Sequence, residues 1–454
     1  MGQKKIITCK VEKLSRGPKN YLFGFHDLII SNSHCTKFLA LEVDVINRPN
    51  LPGEQFGVGY IENNNFISTG YTTAMNFPQG SRQQWVGETD CFIVNNRVGD
   101  VWGTDLYDAR TNKLLDRFEA AIHVLSKDGT KGYGLDYSRL FRLGGYGYCG
   151  LEDVTEKELV PKSSGITVLD LNTKQYKCLV SVKEVAEFEN NKRSFFSPHY
   201  LTHLCLNPSA TRVAFLHRYF FPDGGMMTRL MTIGTDGCYL RCLAQGYLSH
   251  FHWKDDNTIY IYGRANSSID QLRNNPVLTN PLFSKSIRFL KKTLKNVIKE
   301  NKLIIPDTSF LLLSDEDNPH IQSFAKDIIP LDGHPMTNPI NNNWCVNDTY
   351  PNENGIRTLM LYNFEKDLRI DLGSFSMLND KPDMTFKEKY FTGVDSKILK
   401  MIIAEQLAFT RSGLHCDLHP RWNADGTIVC FDSIHEGSRQ IYSVDVSDIL
   451  NAYN

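Results

Sequence analysis

The chain has 454 residues, of which 41% are hydrophobic and 22% are charged, and its formal net charge is −1. This near-neutral charge argues against nucleic acid or an anionic membrane as a partner, so an acidic ligand would need local basic groups. No apolar stretch approaches the roughly 20 residues of a membrane span. Eleven scattered cysteines form no CxxC pair, and we identify no export signal. We therefore predict a cytoplasmic protein without a zinc ribbon.

A phrase of fifteen residues recurs along the chain. Two weaker copies begin at Arg82 and Ile122. The five stronger copies begin with histidine and align without gaps, and they start at His26, His203, His250, His334 and His419. Twelve positions after each histidine stands a residue suited to the centre of a strand, namely Phe38, Phe215, Tyr262, Val346 and Phe431.

Each phrase has the pattern strand, turn, strand. Polar turn formers such as SNS, NPS and NADG separate a short apolar run from a β-rich run such as RVAFL or TIVCF. Repeated antiparallel units of about four short strands are typical of a β-propeller. Seven phrases predict seven blades, so we expect an all-β, seven-bladed β-propeller in which 1–454 form a single domain.

The longest interruption of the repeat predicts a helical insertion at about 265–330. Within it, 284–302 carry one apolar face with Ile287, Leu290 and Leu294, while lysines and arginine occupy the remaining surface. This pattern indicates an amphipathic helix. We interpret it as a surface helix packed on a blade, or alternatively as a basic lid or a docking element for a protein partner.

A residue that recurs at one repeat position should recur at one place in every blade, so the histidines should face a shared channel. They could tie neighbouring blades together, or they could bind a metal and move protons. We predict that His26 is structural.

The last phrase has the densest cluster of candidate ligands. On an extended strand His415, Asp417 and His419 face the same side. Together with His250 or His334 they could form a site of three or four nitrogen and oxygen ligands, which suits Mn²⁺ or Zn²⁺ better than Ca²⁺.

Arginines also lie close to the phrases, and Arg82, Arg218 and Arg421 are candidates to bind substrate. Because the arginine fork matches carboxylates, a channel with several arginines would favour an acidic sugar or a phosphate. Solvated surface ion pairs are the alternative interpretation for each of them.

The blades around DGHPMTNPINNNWCVNDTYPNENG, HCDLHPRWNADGTIVCFDS, THLCLNPSATRVAFLHR and SHFHW resemble those of oligogalacturonate lyases, most closely over 200–450. The resemblance implies a cytoplasmic seven-bladed propeller that cleaves short uronic-acid oligomers by β-elimination. It also implies Mn²⁺ held by histidines and a glutamine.

By position in that family, His203 matches the catalytic base, and His250 and His419 match metal-binding histidines. Asp417 stands where the family has a further histidine, and Leu414 where it has the glutamine, so the ligand set differs and His334 or His415 would compensate. The resemblance implies a metal-dependent lyase acting on acidic oligosaccharides. The altered ligands and the basic helix support an alternative, a non-catalytic propeller that binds saccharide or protein during surface-polysaccharide assembly.

Overall fold

The computed structural model describes residues 2–190, 197–221, 225–266 and 308–453, and short strands dominate its regular structure. In chain order the strands are β1 (Gln3–Ile6), β2 (Val11–Lys13), β3 (Asn20–Leu22), β4 (Phe38–Val43), β5 (Phe56–Glu62), β6 (Asn65–Thr72), β7 (Gln84–Trp85), β8 (Cys91–Val98), β9 (Val101–Asp108), β10 (Lys113–Phe118), β11 (Val124–Leu125), β12 (Lys131–Gly134), β13 (Gly165–Asp170), β14 (Tyr176–Ser181), β15 (His199–Leu206), β16 (Arg212–Phe220), β17 (Met226–Gly234), β18 (Arg241–Trp253), β19 (Thr258–Ala265), β20 (Ser309–Ser314), β21 (Ile321–Phe324), β22 (Met336–Thr337), β23 (Trp344–Asp348), β24 (Ile356–Asn363), β25 (Leu368–Ser376), β26 (Arg421–Trp422), β27 (Ile428–Ser433) and β28 (Gln440–Asp445).

Helices are few and short in the described ranges. They are α1 (Tyr137–Arg142), α2 (Val182–Glu187), α3 (Lys387–Tyr390), α4 (Ser396–Met401), α5 (Ala404–Thr410) and α6 (Ser447–Tyr453), with a 3₁₀ turn at Phe188–Asn190. None of these helices has the length and apolar character needed to cross a bilayer.

The predicted strand–turn–strand phrases are confirmed, and asparagine side chains close their turns. The Asn207 side-chain oxygen accepts from the backbone N–H groups of Thr211 and Arg212 at 2.8 and 2.9 Å. Asn423 accepts in the same way from Thr427 and Ile428 at 3.0 and 2.9 Å. These side chains replace backbone partners in a tight turn, which explains why asparagine recurs between the paired strands.

The strands form mostly antiparallel sheets in chain order. Three sheets have four strands each, β3–β6, β7–β10 and β11–β14, and a seven-stranded sheet runs from β15 to β21. The last two sheets are β22–β25 with β1 added at the edge, and β26–β28 with β2 added. This succession of small antiparallel sheets confirms the predicted β-propeller.

The seven-stranded sheet divides within its longest strand, β18. The first half of β18 pairs with β17 up to Gly246, and the second half pairs with β19 from Gly246 onward, with a bulge between Leu248 and Phe251. One strand therefore serves as the outer strand of one unit and the inner strand of the next. The register thus divides this sheet into two units, and the total of seven blades stays a prediction from the seven phrases.

Strands β20 and β21 lie inside the range 265–330, where the sequence predicted an insertion. Both strands belong to the blade that begins with the second half of β18. In this blade β20 pairs with β19 along its whole length. Their apolar residues fill the core of that blade, so the propeller resumes at Ser309. The predicted helix at 284–302 lies outside the described residues.

The N-terminal strands complete sheets that the C-terminal part of the chain builds. Strand β2 pairs antiparallel with β28, and β1 pairs in parallel with β25. These pairings join the two ends of the chain by backbone hydrogen bonds and so hold the ring of blades closed.

Tryptophans at the fourth position of the phrase connect successive blades. The Trp85 indole donates to the Ile30 carbonyl at 3.0 Å, and the Trp422 indole donates to the Met336 carbonyl at 3.1 Å. Trp253 donates likewise to Cys205 at 3.0 Å. Each bond reaches the inner strand region of the preceding blade. The repeat therefore encodes the contacts between blades as well as the blades themselves.

Candidate functional site

The first residues of the phrases lie next to the inner strands, and local backbone irregularities position several of their side chains. Arg82, His203 and His419 adopt left-handed backbone conformations with φ of 53°, 59° and 42°. Such conformations cost non-glycine residues of order 1–3 kcal/mol and occur mainly where function or packing requires them. The register of β15 also breaks between Thr202 and Cys205, beside His203. These irregularities take the side chains out of the normal strand alternation.

The histidines of five phrases surround one aromatic ring, that of Phe25. Its centroid lies between 4.3 and 6.3 Å from the rings of His26, His203, His250, His334 and His419. Within this set His334 is central, because its ring lies 4.4 Å from those of both His250 and His419. The predicted gathering of repeat histidines is thus present in the structure.

Three side chains converge closely enough to hold one metal ion. The donor atoms of His334, Asp417 and His419 all lie within 4.8 Å of one another, and all three residues are buried. The Asp417 Oδ2 atom lies 4.0 Å from His334 Nε2 and 3.8 Å from His419 Nε2. Ligand bonds of about 2.1 Å place the donors of one ion roughly 3 to 4.3 Å apart. The two separations that involve Asp417 fall within this range, as expected of donors that share a transition-metal ion.

The far side of each imidazole is held by an oxygen acceptor. His334 Nδ1 lies 2.8 Å from Asp348 Oδ1, and His419 Nδ1 lies 2.9 Å from the Gly24 carbonyl oxygen. His250 Nδ1 lies 3.3 Å from Asp332 Oδ1. When Nδ1 carries the proton that these oxygens accept, the Nε2 lone pair is available to a metal, which is the usual arrangement around metal-bound histidines.

His26 is buried among the histidines that surround Phe25. Both of its ring nitrogens lack a hydrogen-bond partner among the described residues. Burial lowers its pKa well below the ordinary value, and the neighbouring His334 and His250 lower it further. A buried polar group without a partner is costly and calls for an explanation such as a bound ligand. The structure therefore places His26, which we predicted to be structural, beside the candidate metal donors.

Carboxylates set the charge of the cluster. Burial would raise the pKa of Asp417, but the charges of His415 and Arg357 hold it well below its usual range. Burial would lower the pKa of His334, but the hydrogen-bonded Asp348 carboxylate raises it above the ordinary value. Asp417 is consequently ionised and acts as an anionic donor in the centre of several basic side chains.

The other two histidines predicted to take part in the chemistry, His203 and His415, lie at the edge of this group. His415 Nδ1 is 3.7 Å from Asp417 Oδ2, and its side chain is 22% exposed. His203 lies beyond Phe25, with its Nδ1 atom 2.9 Å from the Thr202 hydroxyl oxygen. Burial, followed by the charge of Arg218, lowers the pKa of His203 well below its ordinary value. His203 is therefore neutral at physiological pH.

Two of the three arginines predicted to bind substrate have strong partners within the protein. Arg82 pairs with both oxygens of Asp27 at 2.8 and 3.0 Å and donates to the His123 carbonyl. Arg421 donates to Asp432 at 2.7 Å and to the His419 carbonyl at 2.9 Å. Both are fully buried, whereas Arg218 is partly exposed near His203.

Sequence reasoning missed several residues of the site. Arg357 forms an ion pair with Asp417 at 2.5 Å, and the ring of Tyr350 lies 5.3 Å from that of His334. Asp348 could have been found, because it is the last residue of the phrase that His334 begins, and the two ends of a strand–turn–strand unit lie together. Arg357 carries no comparable signal, since it lies on β24, the strand after the phrase.

A cavity of about 520 Å³ opens beside the cluster. Asp332 and Tyr350 are shared between the cavity wall and the surroundings of the histidines, and Tyr247 and Arg264 lie farther out. Its volume is in the range of sites for small organic ligands. Its mixture of tyrosines and charged groups is suited to a polar ligand with apolar faces, such as a sugar.

No family model and no curated protein matches this chain. Solved structures do match. A structure described as an oligogalacturonate lyase in complex with manganese has 13% identity, covers 98% of both chains and gives a TM-score of 0.55. An oligogalacturonate lyase from Vibrio parahaemolyticus has 12% identity over 98% of both chains, with a TM-score of 0.51. At these identities the likeness shows the fold, and the chain resembles oligogalacturonate lyases in its whole propeller architecture.

Proposed function

We propose that this protein is a metal-dependent lyase that cleaves uronic-acid-containing oligosaccharides by β-elimination. The observation that carries the proposal is the buried convergence of His334, Asp417 and His419 next to a cavity of about 520 Å³. The fold likeness to a lyase described with manganese supports it. We place the activity in the cytoplasm, which agrees with the eleven free cysteines.

The donor set fits Mn²⁺, with Zn²⁺ as the alternative, because it combines imidazole nitrogens with a carboxylate oxygen. His334, Asp417 and His419 would hold the ion, and His250 lies next to them. The unpartnered nitrogens of His26 support a bound group here. His415 contacts Asp417 from the exposed side and would support that ligand. A bound ion would supply positive charge that stabilises the negative charge developing on a uronate during elimination.

His203 is proposed as the base that takes the proton from C5 of the uronate. The electron pair of that C–H bond forms the C4–C5 double bond, and the oxygen on C4 leaves with its own bonding pair. Because His203 is neutral, it can accept the proton, and general base catalysis of this kind typically contributes 10²–10⁴-fold. When Nδ1 donates its proton to the Thr202 hydroxyl oxygen, Nε2 carries the lone pair that accepts the C5 proton.

Arg218 is proposed to bind the substrate near His203, since its charge already acts on that imidazole. Arg82 and Arg421 would contribute positive charge from the wall rather than direct contacts, because their guanidinium groups pair with Asp27 and Asp432.

A second candidate function is supported by the ion pair between Arg357 and Asp417. This pair already neutralises the anionic donor, so the site can be electrostatically balanced without an ion. In that case the propeller would bind acidic saccharide without cleaving it, as a module of surface-polysaccharide assembly. The helix proposed to dock a protein partner, 284–302, lies outside the described residues.

Metal content and product absorbance distinguish the two candidates. Protein purified without added ions should contain close to one equivalent of a transition metal and should convert uronide oligomers to an unsaturated product that absorbs in the ultraviolet. His203→Ala should retain the metal and lose the absorbance change. Less than about a tenth of an equivalent of metal, together with saccharide binding but no absorbance change after addition of Mn²⁺ or Zn²⁺, would favour the binding module.

A further inference from the structure

Arg357 is a buried, positively charged residue at the candidate metal site. Sequence reasoning did not identify it as a site residue. It lies on β24, and only 1% of its surface is exposed. Its Nη1 atom approaches Asp417 Oδ1 at 2.5 Å, and its guanidinium carbon lies 5.9 Å from the centre of the Tyr350 ring. Tyr350 also lines the cavity beside the cluster. Arg357 therefore lies between the metal donors and the space available to a ligand.

The hydrogen-bonding capacity of Arg357 is largely unused. Its Nη2 atom reaches the weak acceptor Met377 Sδ at 3.5 Å, while Nε and Nη1 have no hydrogen-bond partner within the described ranges. The contact with Asp417 is close but does not have hydrogen-bond geometry. By contrast, buried Arg139 donates to the backbone or side-chain oxygens of four residues. A buried guanidinium with unsatisfied N–H groups is expected to have a further acceptor.

The shape and charge of the Arg357 guanidinium indicate which kind of acceptor it would bind. A guanidinium presents parallel N–H donors that match the two oxygens of a carboxylate. Asp417 approaches Arg357 only at Nη1, so the other N–H groups of the guanidinium can contact a second carboxylate. Beside a metal site, a ligand carboxylate could contact both the ion and the guanidinium.

We propose that Arg357 binds the carboxylate of a uronic acid and selects acidic over neutral sugars. This inference rests on the proposed function only for the class of substrate. It assigns to Arg357 the recognition that we had expected of Arg82 and Arg421, whose guanidinium groups are engaged by Asp27 and Asp432.

The test compares D-galacturonate with D-galactose, which differ at the carboxylate carbon. Dissociation constants are measured by NMR titration for wild type, Arg357→Gln and Arg357→Lys, each metal-free and with Mn²⁺ replaced by diamagnetic Zn²⁺. Arg97→Gln, at a surface ion pair with Asp100, is the matched control. Thermal unfolding and Zn²⁺ affinity are measured on the same samples. A monosaccharide has no glycosidic bond to cleave, so this result is independent of the lyase assay.

Wild type should prefer galacturonate, and Arg357→Gln should bind it about 10- to 100-fold more weakly, which corresponds to the loss of a charged hydrogen bond. Galactose binding should not change, and Arg357→Lys should fall between the two proteins. Zn²⁺ affinity should not decrease in Arg357→Gln, because a competing cation has been removed. Equal binding of both sugars by wild type, or unchanged galacturonate binding in Arg357→Gln, would overturn the proposal.

Asp417→Asn decides the question if Arg357→Gln does not fold. In metal-free protein this change removes the carboxylate that competes for Arg357, so galacturonate should bind more tightly than to wild type while galactose does not. Galacturonate binding that is unchanged or weaker in metal-free Asp417→Asn would contradict a carboxylate-binding role for Arg357.

Discussion

Side chains at the starts of the phrases form two groups with different environments. In the histidine cluster (His26, His250, His334, Asp417 and His419), both ring nitrogens of His26 lack a hydrogen-bond partner among the described residues, and the donor atoms of His334, Asp417 and His419 converge within 4.8 Å of one another. In the paired network (Asp27, Arg82, His123 and Tyr137), Arg82 binds Asp27 and the His123 carbonyl, and His123 Nδ1 lies 2.9 Å from the Tyr137 hydroxyl. Polar groups that satisfy one another stabilise the ring of blades, whereas groups that lack partners are available to a ligand.

The largest expected effect on stability lies in the paired network. Arg82→Ala leaves the Asp27 carboxylate buried without its partner, so we expect the free energy of unfolding to fall by about 3–5 kcal/mol. Urea unfolding followed by tryptophan fluorescence measures this change. A loss below about 1 kcal/mol would show that the network behaves like an exposed ion pair and would remove the contrast with the cluster.

The histidine cluster should respond in metal affinity rather than in stability. His419→Ala removes one of three convergent donors, and we expect Zn²⁺ affinity to fall by more than about 100-fold, beyond the 10–100-fold typical of lost outer contacts. Competition with a chromophoric chelator measures it. His435→Ala, a partly exposed histidine bonded to Ser433, is the control and should bind Zn²⁺ like wild type. Equal affinities of the two variants would exclude His419 as a ligand.

The pH dependence of stability provides a finer test of the paired network. Burial, and then the charge of Arg82, lowers the pKa of His123 well below its ordinary value of 6.5. The unfolded chain therefore binds a proton below pH 6.5 that the folded protein does not, and stability falls as the pH falls through that range. Each such histidine contributes about 1.4 kcal/mol per pH unit.

His123→Gln should reduce this slope by about one proton's contribution, measured by urea unfolding in metal-free protein between pH 7.5 and 5.5. His320→Gln is the matched control at an exposed position. If His123→Gln retained the wild-type slope, His123 would not be held neutral in the fold.

The last expected effect concerns the bonds between blades. Trp422→Phe retains an aromatic ring but leaves the Met336 carbonyl without its donor, so stability should decrease by about 1–3 kcal/mol. Thermal and urea unfolding measure the loss, and the metal affinity should not change. A selective decrease in metal affinity would show that blade docking also positions His334 and His419.

The repeat predicted the propeller because its signal is local. Each phrase contains its own strands and a polar turn, and three of the seven phrases carry a tryptophan that reaches the preceding blade, so one alignment of the phrases predicts the propeller. The same alignment predicted that His250, His334 and His419 would share one space. The start of β20 was not predicted, since SFLLLS belongs to the outer part of a blade, where the phrase provides no marker.

By itself the sequence determined the blades, the recurring histidines and the ligand types near His419. Only the tertiary structure decided which partners come from other blades: the Gly24 carbonyl orients His419, while His26 meets no hydrogen-bond partner among the described residues. Arg357 and Asp417 are 60 positions apart and meet where two successive blades pack together. Periodicity specifies where a side chain lies in its own blade, but the packing of blades around the axis determines what it contacts.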